Sequence, residues 1–295
     1  MARILTITAN PLLNHITDQP VMCGQVNRVA QLRPAAEGKG INVARILQAH
    51  GHEVTATGFA GGPSGSWLTG LIQTAGIGAD FVATAAPLRV GLMAASDDPA
   101  HPTTVFADGF AVSAAEIEAL IATLGRHLDN ADLVIAAGSV PCAAATDLWA
   151  RVATVCATAA VPLWLDSYGP AMDAALAAAA PIAVAKPNRE EYAAGQGWNR
   201  VQELHVTDGP RGVVVRNCDG EWRVRPPPIA QANPIGSGDT YLAALAHAWL
   251  SGQDLPQRLA YASAAGAANA ARTDICAIGP DDISPLIDQV TISAA

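Results

Sequence analysis

Residues 233–246 read Asn-Pro-Ile-Gly-Ser-Gly-Asp-Thr-Tyr-Leu-Ala-Ala-Leu-Ala. Pro234 and the two glycines break regular structure, and an apolar helix begins at about Asp239 and runs past Trp249. A helix that is apolar nearly all round is buried, so its N-terminus is aimed into the protein. The backbone N–H groups of Gly236, Ser237 and Gly238 can then converge on one spot. Unpaired amides, with about half a positive charge from the aligned peptide dipoles, make that spot an anion hole suited to phosphate. Asp239 adds a carboxylate beside it, able to take the proton of a phosphoryl acceptor. The helix end is expected to keep that carboxylate ionised, which makes Asp239 a weak base. A Gly-rich turn with an aspartate as ordinary helix cap is the bland alternative. The apolar helix behind the turn tips the balance toward chemistry.

Outward from this helix, short apolar strands alternate with helices. Strands are predicted over 4–8, 54–60, 133–137, 161–166, 182–185, 205–207, 213–216 and 221–224. Helices are predicted over 40–50, 66–75, 143–159, 170–179, 240–251, 255–271 and 281–288, with a short one after Asn188. Ser113-Ala-Ala-Glu116 is a capping box opening a helix with Ile117, Leu120, Ile121 and Leu124 on its apolar face. Two further strands, 89–96 and 103–107, flank a polar stretch. This alternation predicts an α/β fold with a mostly parallel sheet covered on both faces. No internal repeat and no linker separates the chain into two large domains, so residues 1–295 read as one.

The 295 residues are 51% hydrophobic and 15% charged, enough for a large core, and aromatics are few while alanine is plentiful. Net charge is −9 with no basic block, which removes a nucleic-acid footprint. The five cysteines are scattered without a CxxC and read as free thiols in a reducing compartment. No apolar signal region and no membrane span is present, so the expected location is the cytoplasm. The histidines show no ligand spacing. Trp149, Trp164 and Trp249 are expected in the core, Trp67 and Trp222 at surfaces or an interface, and Asp97, Asp98 and Asp108 in solvated loops. Asp166, at a strand end, reads equally as a cap or as an indirect orienter of phosphate or metal.

The run from Asn233 to Ala246 resembles the C-terminal signature of the PfkB carbohydrate kinases. Glu37-Gly-Lys-Gly-Ile-Asn-Val-Ala-Arg-Ile-Leu resembles their N-terminal signature, with Glu37 in place of its first glycine. Thr8-Ala-Asn-Pro-Leu-Leu-Asn14, Gly138-Ser-Val-Pro141, Lys186-Pro-Asn-Arg-Glu-Glu191 and Thr207-Asp-Gly209 resemble further family segments in the family's order. The resemblance runs from residue 4 to about 272 and favours the phosphofructokinase and tagatose-phosphate kinase branch. It implies a ribokinase-like, Rossmann-type sandwich with a small β-lid built from about 12–34 and 88–107, and a homodimer formed through that lid. It also implies ATP and Mg2+, and the charge pattern and lack of an apolar span add the expectation of no nucleic-acid or membrane partner.

Carried onto this chain, the resemblance makes Asp239 the base and Gly236, Ser237 and Gly238 the phosphoryl-holding loop. Asn14, Gly38, Lys39, Gly40, Asn42 and Ser139 would bind the acceptor. Arg89, with Arg28 as a second candidate, would grip a phosphate already on it through the planar fork of guanidinium donors. Lys186, Asn188, Glu191, Thr207 and Gly209 would place the nucleotide, Asn269 would contact adenine, and Glu191 would act on magnesium indirectly. Asn14 replaces an aspartate, Gly91 a lid asparagine and Phe106 another lid polar residue, and the connection after Glu191 is short. The expected function is ATP-dependent phosphorylation of a hexose phosphate. Two alternatives stand beside it: a kinase for a nonphosphorylated sugar or nucleoside, and a ligand-binding or regulatory protein without turnover.

Overall fold

The structure is a computed structural model that describes residues 1–96 and 102–294, so Asp97 and Asp98 lie outside the described residues. In chain order the elements are β1 (Arg3–Thr8), β2 (Leu12–Pro20), β3 (Arg33–Glu37), α1 (Lys39–Ala49), β4 (Glu53–Phe59), α2 (Gly62–Thr74), β5 (Gly78–Val82), β6 (Val90–Ala95), β7 (Thr103–Phe106) and α3 (Ala114–Leu128). They continue with β8 (Leu133–Ala137), α4 (Leu148–Thr158), β9 (Leu163–Asp166), α5 (Gly169–Ala177), β10 (Ile182–Ala185), α6 (Arg189–Ala194), β11 (Val201–Thr207), β12 (Val213–Asn217) and β13 (Gly220–Arg225). The last are α7 (Ser237–Leu250), α8 (Leu255–Ala270), α9 (Pro280–Ile283) and β14 (Thr291–Ala294).

The large sheet runs β14-β13-β12-β11-β10-β9-β8-β1-β4-β5. Its β5-to-β11 portion is parallel and its β12–β14 edge antiparallel. The central strands are unbroken apolar runs; all five residues of β8 are buried. That is the pattern of strands covered on both faces. After β1 the chain builds outward through β4 and β5, then returns to lay β8 on the other flank of β1. This reversal opens a crevice at the carboxyl ends of the strands, where α/β sheets bind ligands.

A smaller sheet, β3-β2-β6-β7, faces the crevice. Helices α7 and α8 pack through buried alanines, and a Cβ at Gly266 would come within 3.3 Å of the Ser237 carbonyl oxygen. The alanine-rich composition thus serves close helix approach, which seats the start of α7 deep in the molecule.

Several expectations are corrected. The helix predicted over 143–159 divides into a 3-10 turn at 143–145 and α4. The last helix stops at Ile283 and continues as a 3-10 turn, because Pro285 supplies no backbone donor. Strands β5 and β14 were not anticipated; both are half-exposed edge strands with weak apolar patterning. Trp249 is 37% exposed, its ring 5.8 Å from that of Trp164, rather than inside the core.

Candidate active site

Two cavities meet at the crevice. One, of about 550 Å³, lies between the strand ends, the start of α1 and the small sheet, and contains Lys39, Asn42, Ser139 and Asp239 in its walls. The other, of about 840 Å³, is walled by Gly209, Arg211, the Pro226–Pro228 loop and Ser263. Thr207 and Gly238 border both. The start of α7 is therefore the junction of the two.

Asp239 sits in the first turn of α7 and is 7% exposed. Its Oδ2 accepts a hydrogen bond of 2.8 Å from Asn42 Nδ2. Burial pushes its pKa up to about 6; the Lys39 charge opposes this and the Asp166 charge adds to it. The weak base expected from the helix end is thus corrected: burial is the largest influence on this carboxylate, which is more basic than an ordinary aspartate yet mostly ionised at neutral pH. Asn42 Oδ1 accepts from Arg45 Nη1 at 3.1 Å, while Arg45 Nη2 donates to the Ala36 carbonyl. Asn42 therefore spends its oxygen and one amide proton on holding the Asp239 carboxylate in place. Arg45 escaped the sequence reading; the signal was its place three residues after Asn42, on the same face of one helix.

Lys39 and Lys186 are the only lysines among 17 Lys and Arg residues, and both point here. Each places its Nζ 3.0 Å from a different oxygen of Asp166, which is fully buried. Burial would raise the Asp166 pKa, but the Lys186 and Lys39 charges outweigh it and hold it below the ordinary value. Burial would likewise lower Lys39, and the carboxylates of Asp166, Asp239 and Glu191 outweigh that to raise it. One buried anion thus fixes two charged ammonium groups. A Cβ at Gly238 would lie 3.1 Å from Lys186 Nζ, so glycine there lets the ammonium reach the loop. Asp166 is a framework carboxylate and not a cap, since β9 ends at it and no helix starts there.

The loop itself differs in one respect from expectation. The Ser237 amide donates to the Pro234 carbonyl at 3.2 Å, so it is engaged in the turn. Among the described residues the amides of Gly236, Gly238 and Asp239 make no such bond, as the first turn of a helix leaves them. Gly236 has φ 79°, and a Cβ on it would strike Cys276 Sγ and Ile275 at 2.7 Å.

Asn269 is a correction. It is fully buried, its Nδ2 donating to the Ile235 carbonyl at 2.9 Å and Ser237 Oγ at 3.0 Å, its Oδ1 accepting from the Cys276 amide at 2.8 Å. With all these bonds made inside the protein it clamps the loop and does not face adenine.

Of the residues expected to bind the acceptor, Gly38, Lys39, Asn42, Arg89 and Ser139 line the smaller cavity. Arg89 already donates to the backbone oxygens of Pro11, Asn10 and Ala107 at 3.2, 3.0 and 3.4 Å, leaving two of its five N–H groups. Gly40, Asn14 and Arg28 are not in the wall, against expectation. A Cβ at Gly40 would lie 2.7 Å from the Ile7 carbonyl, so its small size serves the packing of α1 on β1 rather than a ligand. Asn14 is fully buried in β2, and Arg28 is exposed in the connection from β2 to β3.

On the other side Asn188 caps α6 with Glu191 in a reciprocal capping box, each bond 2.8 Å. Asn188 also bridges to Thr207, and Lys186, Asn188, Glu191 and Thr207 all border the smaller cavity. Glu191 Oε1 lies 3.8 Å from Lys39 Nζ. Gly209, at φ 53°, lines the larger cavity.

Residues 12–280 match the pfkB family of carbohydrate kinases. The chain belongs to that family. The tagatose-6-phosphate kinase of Staphylococcus epidermidis strain RP62A is 27% identical over 98% of this chain and 99% of its own. Two solved structures share the fold of this pfkB kinase. A protein described as a possible 1-phosphofructokinase from Thermotoga maritima superposes with a TM-score of 0.91 at 19% identity, covering 99% of each chain. Phosphofructokinase-2 from Escherichia coli in complex with fructose-6-phosphate superposes with 0.84 at 24% identity, covering 98% of this chain and 99% of that one.

Proposed function

We propose that this kinase transfers the γ-phosphoryl group of Mg-ATP to a hydroxyl of a hexose phosphate. One observation carries the reading: the carboxylate of Asp239, the free amides beginning α7 and the ammonium of Lys186 gather at the single point where two cavities join. Nucleotide fits the larger, more apolar cavity, where Thr207, Gly209 and the proline loop would hold it, with its phosphates toward Gly238. The acceptor fits the smaller, with Lys39, Ser139 and Arg89 around it. Asp239 takes the proton as the acceptor oxygen bonds to phosphorus and the bond to the ADP oxygen breaks. Lys186 and the amides of Gly236, Gly238 and Asp239 meet the charge on the moving phosphoryl group. Glu191 suits a water-mediated contact to the magnesium that accompanies ATP, since this ion keeps most of its waters and needs few carboxylates.

The acceptor class is supported by the tagatose-6-phosphate kinase relative, and by the two free N–H groups of Arg89 in the cavity wall. The engagement of Arg89 with backbone oxygens favours a second reading, a nonphosphorylated sugar. The small sheet would close over the acceptor as a lid, and its exposed Val90, Val105 and Phe106 suit pairing with a second copy into a homodimer. Among the described residues no helix is long and apolar enough to cross a membrane.

The test is ADP release with Mg-ATP across fructose and tagatose phosphates, the plain sugars and nucleosides. Release dependent on a hexose phosphate, lost in Arg89→Ala, supports the leading reading. Equal release on plain sugars supports the second, and ligand binding without release on any acceptor overturns both.

A further inference from the structure

We propose that Glu37 is the specificity-determining residue for the acceptor, its carboxylate taking a hydrogen bond from an acceptor hydroxyl while Asn14 holds it in place. The proposal rests on the kinase reading above and adds to it a polar contact on the side of the small sheet.

Glu37 ends β3, opposite Leu12 of β2, with its side chain in the wall of the smaller cavity. Asn14, two residues along β2, donates from Nδ2 to Glu37 Oε2 at 2.9 Å and accepts from the His15 amide through Oδ1 at 3.0 Å. It is fully buried, so it touches Glu37 and not a ligand. Glu37 Oε1 has no hydrogen bond or ion pair among the described residues. Arg45, whose charge acts on Glu37, donates to Asn42 and the Ala36 carbonyl and makes no hydrogen bond or ion pair with Glu37 among the described residues. One oxygen is thus fixed by Asn14, while the other is not closed off from solvent, so a hydroxyl entering the cavity can donate to it in place of water.

The rest of that wall makes Glu37 conspicuous. The small sheet contributes Leu12, Met93 and Phe106, which are apolar, and Thr104. Gly91 offers no side chain, because a Cβ there would sit 2.6 Å from the Phe106 ring and 3.1 Å from Asn14 Oδ1. The other carboxylates in the cavity wall have work already: Asp239 faces the phosphoryl junction, and Glu191 caps α6. A polyhydroxy acceptor entering this cavity presents C–H groups to Phe106 and Met93, and Glu37 is the one carboxylate on that side to receive a hydroxyl. The two departures noted in the sequence, an amide at 14 and a carboxylate at 37, are therefore one arrangement: the amide can donate to the carboxylate, where an acidic pair would repel.

The test is steady-state kinetics of Glu37→Ala and Glu37→Gln with the preferred acceptor and its monodeoxy analogues, with calorimetric binding of the same acceptor. Loss of one charge-assisted hydrogen bond should raise the acceptor KM about 10- to 100-fold in Glu37→Ala, with a smaller rise in Glu37→Gln. The ATP KM should stay within about twofold and kcat should fall far less than the acceptor KM rises. One deoxy analogue should bind the wild-type protein as weakly as the parent acceptor binds Glu37→Ala, and its KM should be insensitive to Glu37→Gln. Asn14→Ala should raise the acceptor KM alone but add little to Glu37→Ala. If Glu37→Ala fails to fold, the Gln variant and the deoxy series decide the matter. An unchanged acceptor KM in both variants, or a deoxy series with no Glu37-dependent member, overturns this proposal while the kinase reading stands. A wild-type protein that phosphorylates no acceptor overturns the kinase reading and this proposal with it.

Discussion

In Asp239→Asn the charge leaves a site that opposes it, while an oxygen remains to accept from Asn42. Burial raises the wild-type pKa from 3.8 to about 6. Two units correspond to about 3 kcal/mol carried by the ionised form at neutral pH. The sign follows from proton linkage: the folded protein keeps this proton to a higher pH than the unfolded chain. The cost is therefore absent below the ordinary aspartate value, grows as pH rises, and is complete above about pH 6. The variant should be about 1–3 kcal/mol more stable than wild type at pH 7, raising Tm by roughly 2–5 °C for a chain of this size. Differential scanning calorimetry from pH 4 to 8 should show the gap closing toward the acid end, where wild type is protonated too. Turnover should move the other way, falling by about 10²–10⁴ through loss of the base, and wild-type kcat/KM should rise through pH about 6 and then level. A variant that melts lower at pH 7, or a gap indifferent to pH, would refute the claim that burial dominates this carboxylate. Retained activity would refute its role as base.

Three further outcomes are expected. His50, His52 and His247 cluster where the ends of α1 and α7 meet β4, with His52 Nε2 2.9 Å from His247 Nδ1, and burial lowers all three pKa values from 6.5, His247 to about 4. Their folded state resists protonation, so Tm should fall as pH drops from about 6.5 toward 4, and His247→Gln should flatten that slope in thermal melts. Lys186→Met leaves Asp166 paired with Lys39, so the protein should fold, while kcat drops by about 10²–10³ with little change in acceptor KM. Gly91→Ala forces its Cβ to 2.6 Å from the Phe106 ring and should cost about 1–3 kcal/mol in chemical denaturation, a cost relieved in Gly91→Ala/Phe106→Ala; no relief would show that Asn14 and Leu12, not Phe106, impose the glycine.

What could be read along the chain was what periodicity encodes. The parallel strands are apolar throughout because both faces are covered, and they stand out against the helices between them. The capping box at Ser113 acts within four residues, and the residues needed to see it are adjacent; the same arrangement at Asn188 and Glu191 is hidden behind the family resemblance, which assigns both residues to nucleotide chemistry alone. Edge strands such as β14 are specified by their partner β13, some 70 residues upstream, so their own sequence says little.

The site divides the same way. Gly236, Gly238 and Asp239 declare themselves because a helix start, its free amides and its carboxylate lie within four positions. Asp166 could not be judged from its own neighbourhood. Its meaning comes from Lys39 on α1 and Lys186 after β10, brought to its two oxygens from 127 and 20 positions away. Asn269 shows the reverse error: its match to the family's adenine-contacting position invited a ligand, whereas folding surrounds it with Ile235, Ser237 and Cys276 and consumes its bonds. A polar residue's type says what it can bond, but only the fold says whether that capacity is still unspent. By that criterion the free oxygen of Glu37 and the two remaining N–H groups of Arg89 are where acceptor recognition should be sought, whereas Asn14, Asn42 and Asn269 have their bonds committed to Glu37, Asp239 and the loop before α7.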